Sequence, residues 1–170
     1  MTPKELSKHT PRISVESPSR LSSGDVHELC DAAEGAIMAG GGFGWLTPPP
    51  RSVMEDYWRG VQMIPERHLV VAKLDKVIAG SCQIVRPPRN NEAQAFTCQL
   101  TTFFVAPWAR GHGLAQMIVA EAEALAKTKA NTPFRFNLHR FIRQSECFCL
   151  HVALRLIEVA LRPKTGVVLP

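Results

Sequence analysis

Two periods of hydrophobic and polar residues alternate along this chain. Arg12-Ile-Ser-Val-Glu16 switches between apolar and polar at every step and predicts a first, edge strand. Val26, Leu29, Cys30, Ala33 and Ile37 then recur at the spacing of an amphipathic helix. Asp25 is the expected N-cap, with Glu28 three residues on as in a capping box. Gly40-Gly-Gly-Phe-Gly44 stops that helix and opens a loop ending in Pro48-Pro-Pro50. Ser52-Val-Met-Glu55 reads as a second capping box, leading a short helix with Tyr57, Trp58 and Val61 on one side.

The period then changes to that of strands. His68 to Leu74 and Val77 to Val85 flank Asp75-Lys76 and predict an antiparallel hairpin. Pro87 to Asn91 reads as a loop, and Ala93 to Val105 as a third long strand. Its last part, Gln99-Leu-Thr-Thr-Phe-Phe-Val105, is rich in β-branched and aromatic residues, and Pro107 ends it by removing a ladder donor. Leu114, Met117, Ile118, Ala122 and Leu125 restore the helical period. Beyond Asn131, Phe134 to Leu138 could be a strand, and Cys149 to Leu161 is apolar enough for a buried helix or strand.

Between the third strand and its helix lies Arg110-Gly-His-Gly-Leu-Ala115. A turn without bulky side chains at a helix start leaves backbone N–H groups pointing outward. With the positive end of the helix dipole, they make an anion site suited to phosphate.

Composition bounds the picture. A length of 170 residues, 45% hydrophobic and 21% charged, fits one soluble domain with a substantial core. No apolar run is long enough to span a bilayer, and Met1 to Lys8 lacks the apolar core of a signal peptide. Membrane association and export are therefore not expected, and a cytoplasmic location is. The five cysteines contain no C-x-x-C pair, which argues against a zinc site or a disulfide framework. No metal is expected. From Lys127 onward eight basic residues face two acids, a charge of +6 that leaves about −1 for the rest of the +5 chain. That basic quarter could touch nucleic acid or an anionic ligand, but it reads first as a solvated face, since it holds no known nucleic-acid motif.

The segment Leu100 to Lys127, centred on Arg110-Gly-His-Gly-Leu-Ala115, resembles the strand, pyrophosphate loop and helix of the GCN5-related N-acetyltransferases (GNAT). The loop fits that family's acyl-CoA signature R/Q-x-x-G-x-G/A, and Val77-Ile-Ala-Gly80 is similar to a hairpin segment of its members. The resemblance covers about residues 12 to 130. It implies an α/β fold with a mixed, mostly antiparallel central sheet flanked by helices, and an atypical C-terminal part. The chain is expected to form one acyl-CoA N-acyltransferase domain over 1–170, with 1–11 flexible and 128–170 divergent or altered.

The implied activity is acetyl transfer from acetyl-CoA, as cosubstrate, to a primary amine by direct attack. Backbone amides of Arg110, Gly111, His112, Gly113, Leu114 and Ala115 would cradle the pyrophosphate. Phe103, Phe104 and Val105 would pair with the pantetheine arm. The oxyanion donor would be the N–H of Val105 or Phe104. Glu92 and Glu66 are the candidate bases, with a chain of water as the alternative. His112 would neighbour the pyrophosphate, His68 would sit at a rim, and Tyr57 and Trp58 would either pack in the core or wall the acceptor site.

The chain departs from the family downstream. Relatives carry a strand and helix whose tyrosine can protonate the leaving thiolate, yet Tyr57 is the only tyrosine here. A changed reading frame near residue 128 and true divergence both fit. A CoA-binding or partner-binding module without turnover is therefore the second functional reading. The acceptor, a small molecule or a peptide amine, stays open, as does a homodimer.

Overall fold

The computed structural model describes residues 10–41, 44–86, 90 and 98–130. Its elements follow the order β1 (Ile13–Glu16), α1 (Ser23–Met38), α2 (Arg51–Val61), β2 (Arg67–Leu74), β3 (Val77–Val85), β4 (Gln99–Val105) and α3 (Leu114–Ala130). The four strands form one antiparallel sheet in the order β1-β2-β3-β4. The segments expected at Phe134 to Leu138 and Cys149 to Leu161, and most of the basic tail, lie outside the described residues.

Both faces of the sheet are covered, so its central strands read as nearly continuous apolar runs. Leu69 and Val71 of β2 point to one side, where they pack with Ile78, Phe104 and the apolar stripes of α1 and α2. Val70, Ala72 and Leu74 point to the other, against Cys82, Ile84, Leu100 and the stripe Leu114, Ile118, Ala122 and Ala126 of α3. Strand alternation thus sorts one sequence into two cores. Cys30, Cys82 and Cys98 are buried free thiols. Among the described residues no helix is long and apolar enough to cross a membrane, and no cluster suits a metal ion.

The hairpin turn falls at Asp75-Lys76, both at positive φ (50° and 75°), the geometry that matches strand twist in a two-residue turn. The helix ends differ from the expected caps. Ser22, not Asp25, is the N-cap of α1, and Asp25 is the partner that closes the capping box at the third helical position. Asp25 and Ser22 can each cap; the chain enters the helix one turn earlier because the Ser22 carbonyl already accepts from Val26 N–H at 3.1 Å. For α2 the N-cap is Pro50 with no side-chain cap, and Ser52 lies inside the helix. Glu55 is spent instead on ion pairs with Arg51 and Arg59. Gly40 does stop α1: at φ 85° it donates to Ile37 O, and Gly41 donates to Ala36 O.

Candidate functional site

The third long strand begins at Gln99 in the described residues, and its middle is irregular. Ser81 pairs with Phe104 and Gln83 with Thr101, so Cys82 stands opposite both Thr102 and Phe103. This one-residue bulge puts Thr102 at φ 50°. A β-branched residue there costs about 1–3 kcal/mol, a strain the fold retains in the middle of β4.

Past the bulge, regular alternation fixes where the peptides point. Ala106 N–H donates to Ala79 O at 2.8 Å, and Phe104 O lies over Gly80. The peptide groups of Phe104 and Ala106 therefore face β3, and that of Val105 faces the outer side of β4. Among the described strands β4 is last in the sheet, so the Val105 peptide has no strand partner among the described residues. Gly80 makes the close approach: a Cβ there would lie 2.8 Å from Phe104 O.

The strand runs into a 3-10 turn, Pro107–Ala109, closed by Ala109 N–H to Ala106 O at 3.0 Å. Gly111 (φ 85°) and Gly113 (φ 79°) then reverse the chain into α3, with open space above both. The Gly113 carbonyl takes Gln116 and Met117 N–H at 3.1 and 3.3 Å. The N–H groups of Gly111, His112, Gly113, Leu114 and Ala115 meet no acceptor among the described residues. Such a run of unpaired donors at the head of a 17-residue helix forms a nest of the kind that can take phosphate oxygens. Leu114 is buried and anchors the nest to the core, while Arg110 is exposed at its rim. His112 Nδ1 lies 3.2 Å from the carbonyls of Ala109 and Arg110, so Nδ1 carries a proton and bonds within the loop.

A polar row meets the bulge on the α1/α2 face. Arg67 donates from a terminal guanidinium nitrogen to Gln83 Oε1 at 3.1 Å. That fixes the amide orientation, and Gln83 Nε2 donates to the Tyr57 hydroxyl at 2.8 Å. Tyr57 Oη in turn lies 3.1 Å from Thr102 Oγ1. Gln83 is fully buried, as is Ser81, whose hydroxyl finds no partner among the described residues. Tyr57 is held edge-on between Trp45 and Trp58, with centroids 5.2 and 5.0 Å away. On the opposite face Cys82 is fully buried, and burial pushes its thiol far above the usual range. It is no thiolate nucleophile.

A model of the Acetyltransferase (GNAT) family matches residues 30–139. An uncharacterized N-acetyltransferase of Azospirillum brasilense is 49% identical over 140 residues, 82% of this chain and 83% of its own. The chain belongs to the GNAT acetyltransferase family. The fold agrees: an N-acetyltransferase from Staphylococcus aureus Mu50 superposes with a TM-score of 0.66 at 14% identity, over 86% of this chain and 82% of that one. A Salmonella typhimurium protein solved with its cofactor acetyl-CoA does so at 0.56 and 11% identity, over 74% and 69%.

In this GNAT chain the expected residues fall into separate places. Phe103, Phe104, Val105 and Arg110 to Ala115 form one continuous strand end and nest. Glu92 lies outside the described residues. Glu66 sits at the far end of the sheet, where its carbonyl accepts from Arg86 N–H at 2.9 Å. His68 is half-buried beside it in β2. Tyr57 and Trp58, adjacent on α2, separate: Trp58 is fully buried in the core, and Tyr57 reaches the bulge. Arg67, Gln83 and Thr102 were not anticipated. Gln83 left a trace, being polar at a core position two residues after Ser81 in an otherwise apolar strand. Thr102 left none, since a bulge depends on cross-strand register.

Proposed function

We propose that this GNAT chain is a single-domain, acetyl-CoA-dependent N-acetyltransferase that acetylates a primary amine by direct attack. The observation that carries the reading is the continuity from the bulge at Thr102, through the outward-facing Val105 peptide, to the nest at Gly111–Ala115. The residues fit a pantetheine diphosphate: an open strand edge for amide pairing, then unpaired donors with clear space above two glycines. Bound there, acetyl-CoA supplies the activated acetyl group as a thioester.

The chain's own groups divide the remaining work. The nest and Arg110 hold the diphosphate. Val105 N–H, rigid in the sheet, is aimed at the position where carbonyl oxygen charge develops, and such a donor is worth about 3–4 kcal/mol in a water-excluded site. Because Gln83 donates to Tyr57, the Tyr57–Thr102 hydroxyl pair keeps an oxygen lone pair to accept an N–H of the amine and align it. The buried, protonated thiol of Cys82 gives no covalent route, which favours direct attack.

The test is thiol release from acetyl-CoA over a panel of primary amines, with the acetylated amine identified by mass. Release matched by product supports the reading. Tyr57→Phe is expected to lower kcat about tenfold while acetyl-CoA still binds, from the loss of about one aligning hydrogen bond. Acetyl-CoA binding with no release on any amine would sink catalysis and leave a binding module.

A further inference from the structure

We infer that the acceptor is a small primary amine that also carries a carboxylate, and that Arg67 reads that carboxylate. The inference rests on the transfer reading above and names the substrate class of the same site.

The polar row has more donors than the described protein uses. Arg67 offers five N–H donors, and among the described residues its hydrogen-bond partner is Gln83, through one terminal nitrogen. No carboxylate lies within ion-pair distance of it among those residues. Several of the acids near this face are engaged elsewhere. Glu55 and Asp56 of α2 pair with Arg59, Glu16 and Asp25 pair with Lys73, and Glu28 accepts from Ile78 N–H. Asp31 pairs with Arg51 on the outer side of α1. The surplus guanidinium donors form a planar fork, and a carboxylate is the ligand that matches that fork.

Position along the sheet supports the same assignment. The nest follows Val105, which pairs with Gly80, whereas Arg67 pairs with Val85, which pairs with Gln99. Five residues of β3 separate these rows, about 17 Å of strand. The bulge and the Tyr57–Thr102 hydroxyls lie between them. Two anion sites thus stand at opposite ends of the sheet with the transfer point in the middle. An acceptor whose amine meets the partly exposed Thr102 and Tyr57 can extend an anion away from the phosphates, towards the partly exposed Arg67. Ser81 and Gln83, buried on this face on either side of the bulge, are polar where the rest of the core is apolar. From the Tyr57 hydroxyl to the Arg67 guanidinium the span is two hydrogen bonds and one amide group, longer than an α-amino acid and suited to an ω-amino acid or a dipeptide.

The experiment compares acceptors with the same carbon chain, γ-aminobutyrate against butylamine and glycylglycine against its amide, by thiol release with wild type, Arg67→Met and Arg67→Lys. Wild type is expected to favour the carboxylated member of each pair in kcat/KM. The ratio should fall about 10- to 100-fold in Arg67→Met, the range of a lost charge-assisted bond, and recover in part with the charge of Arg67→Lys. Acetyl-CoA affinity, measured in parallel, reports that each variant is folded. Equal use of both members by wild type, or a ratio unaltered in Arg67→Met, would overturn the inference while leaving acetyl transfer intact. No release with any amine would instead overturn the transfer reading, and this inference with it.

Discussion

Gly80→Ala and Gly60→Ala add the same methyl group with opposite expected results. At Gly80 an ideal Cβ would sit 2.8 Å from Phe104 O, 3.1 Å from Ile118 Cδ1 and 3.4 Å from Val105 Cα. The first and last of these are β4 backbone, so relief requires β4 to shift, not a side chain to rotate. Overpacking of this kind costs about 1–3 kcal/mol. The lower entropy of the unfolded alanine chain returns about 0.4–1 kcal/mol. The net is a loss of about 1–2 kcal/mol. At Gly60, in the last turn of α2, nothing lies within 4 Å of the new methyl. Alanine there is expected to stabilise by about 0.5–1 kcal/mol from helix propensity alone. Urea unfolding followed by tryptophan fluorescence reads both, since Trp58 is fully buried. With a slope of about 2 kcal/mol/M, the Gly80→Ala midpoint should drop by about 0.5–1 M and that of Gly60→Ala should rise. A Gly80→Ala midpoint at or above wild type would refute the close β3–β4 approach that aims Val105 outward.

Other consequences concern titration and thiol burial. Hydrogen bonding from Ser22, reinforced by Lys73, holds the Asp25 carboxyl below its ordinary 3.8. A lowered folded value means that its stabilisation is present above 3.8 and is lost as pH falls through the folded value. Ser22→Ala should therefore cost about 1 kcal/mol at neutral pH. Its gap from wild type should narrow as pH drops below 3.8, and a constant gap in urea midpoints would contradict the linkage. Burial raises the Cys30 thiol to about 11 and pushes those of Cys82 and Cys98 up as well. Alkylation mapped by mass spectrometry should spare these three in the native protein at mildly alkaline pH and label them in urea; native labelling of Cys82 would contradict its placement.

The order of the elements was legible because it depends on periodicity alone. The stripe of Val26, Leu29, Cys30, Ala33 and Ile37 and the alternation of Ile13 to Glu16 each admit one secondary structure. The backbone of the turn before α3 was legible for a related reason, since Gly111 and Gly113 occupy its two positions of positive φ. Caps were less so: Ser22, Asp25 and Ser52 can all bond to backbone, and which one does depends on where the preceding chain arrives. The acceptor side was nearly opaque. Tyr57 and Trp58 are neighbours in sequence but about 100° apart around a helix, so one turns into the core and the other across to the sheet. Their division, and the meeting of Arg67, Gln83, Tyr57 and Thr102, depends on strand register over separations that no local pattern records.

The central claim is that the nest at Gly111–Ala115 grips acetyl-CoA, and calorimetric titration of the full chain tests it most directly. Wild type should bind in the micromolar range. Gly113→Val, which forces a β-branched residue to φ 79° beneath the phosphates, should weaken binding about tenfold or more while the circular dichroism of the fold persists. Equal affinity in the two proteins, or no binding by folded wild type, would contradict the account.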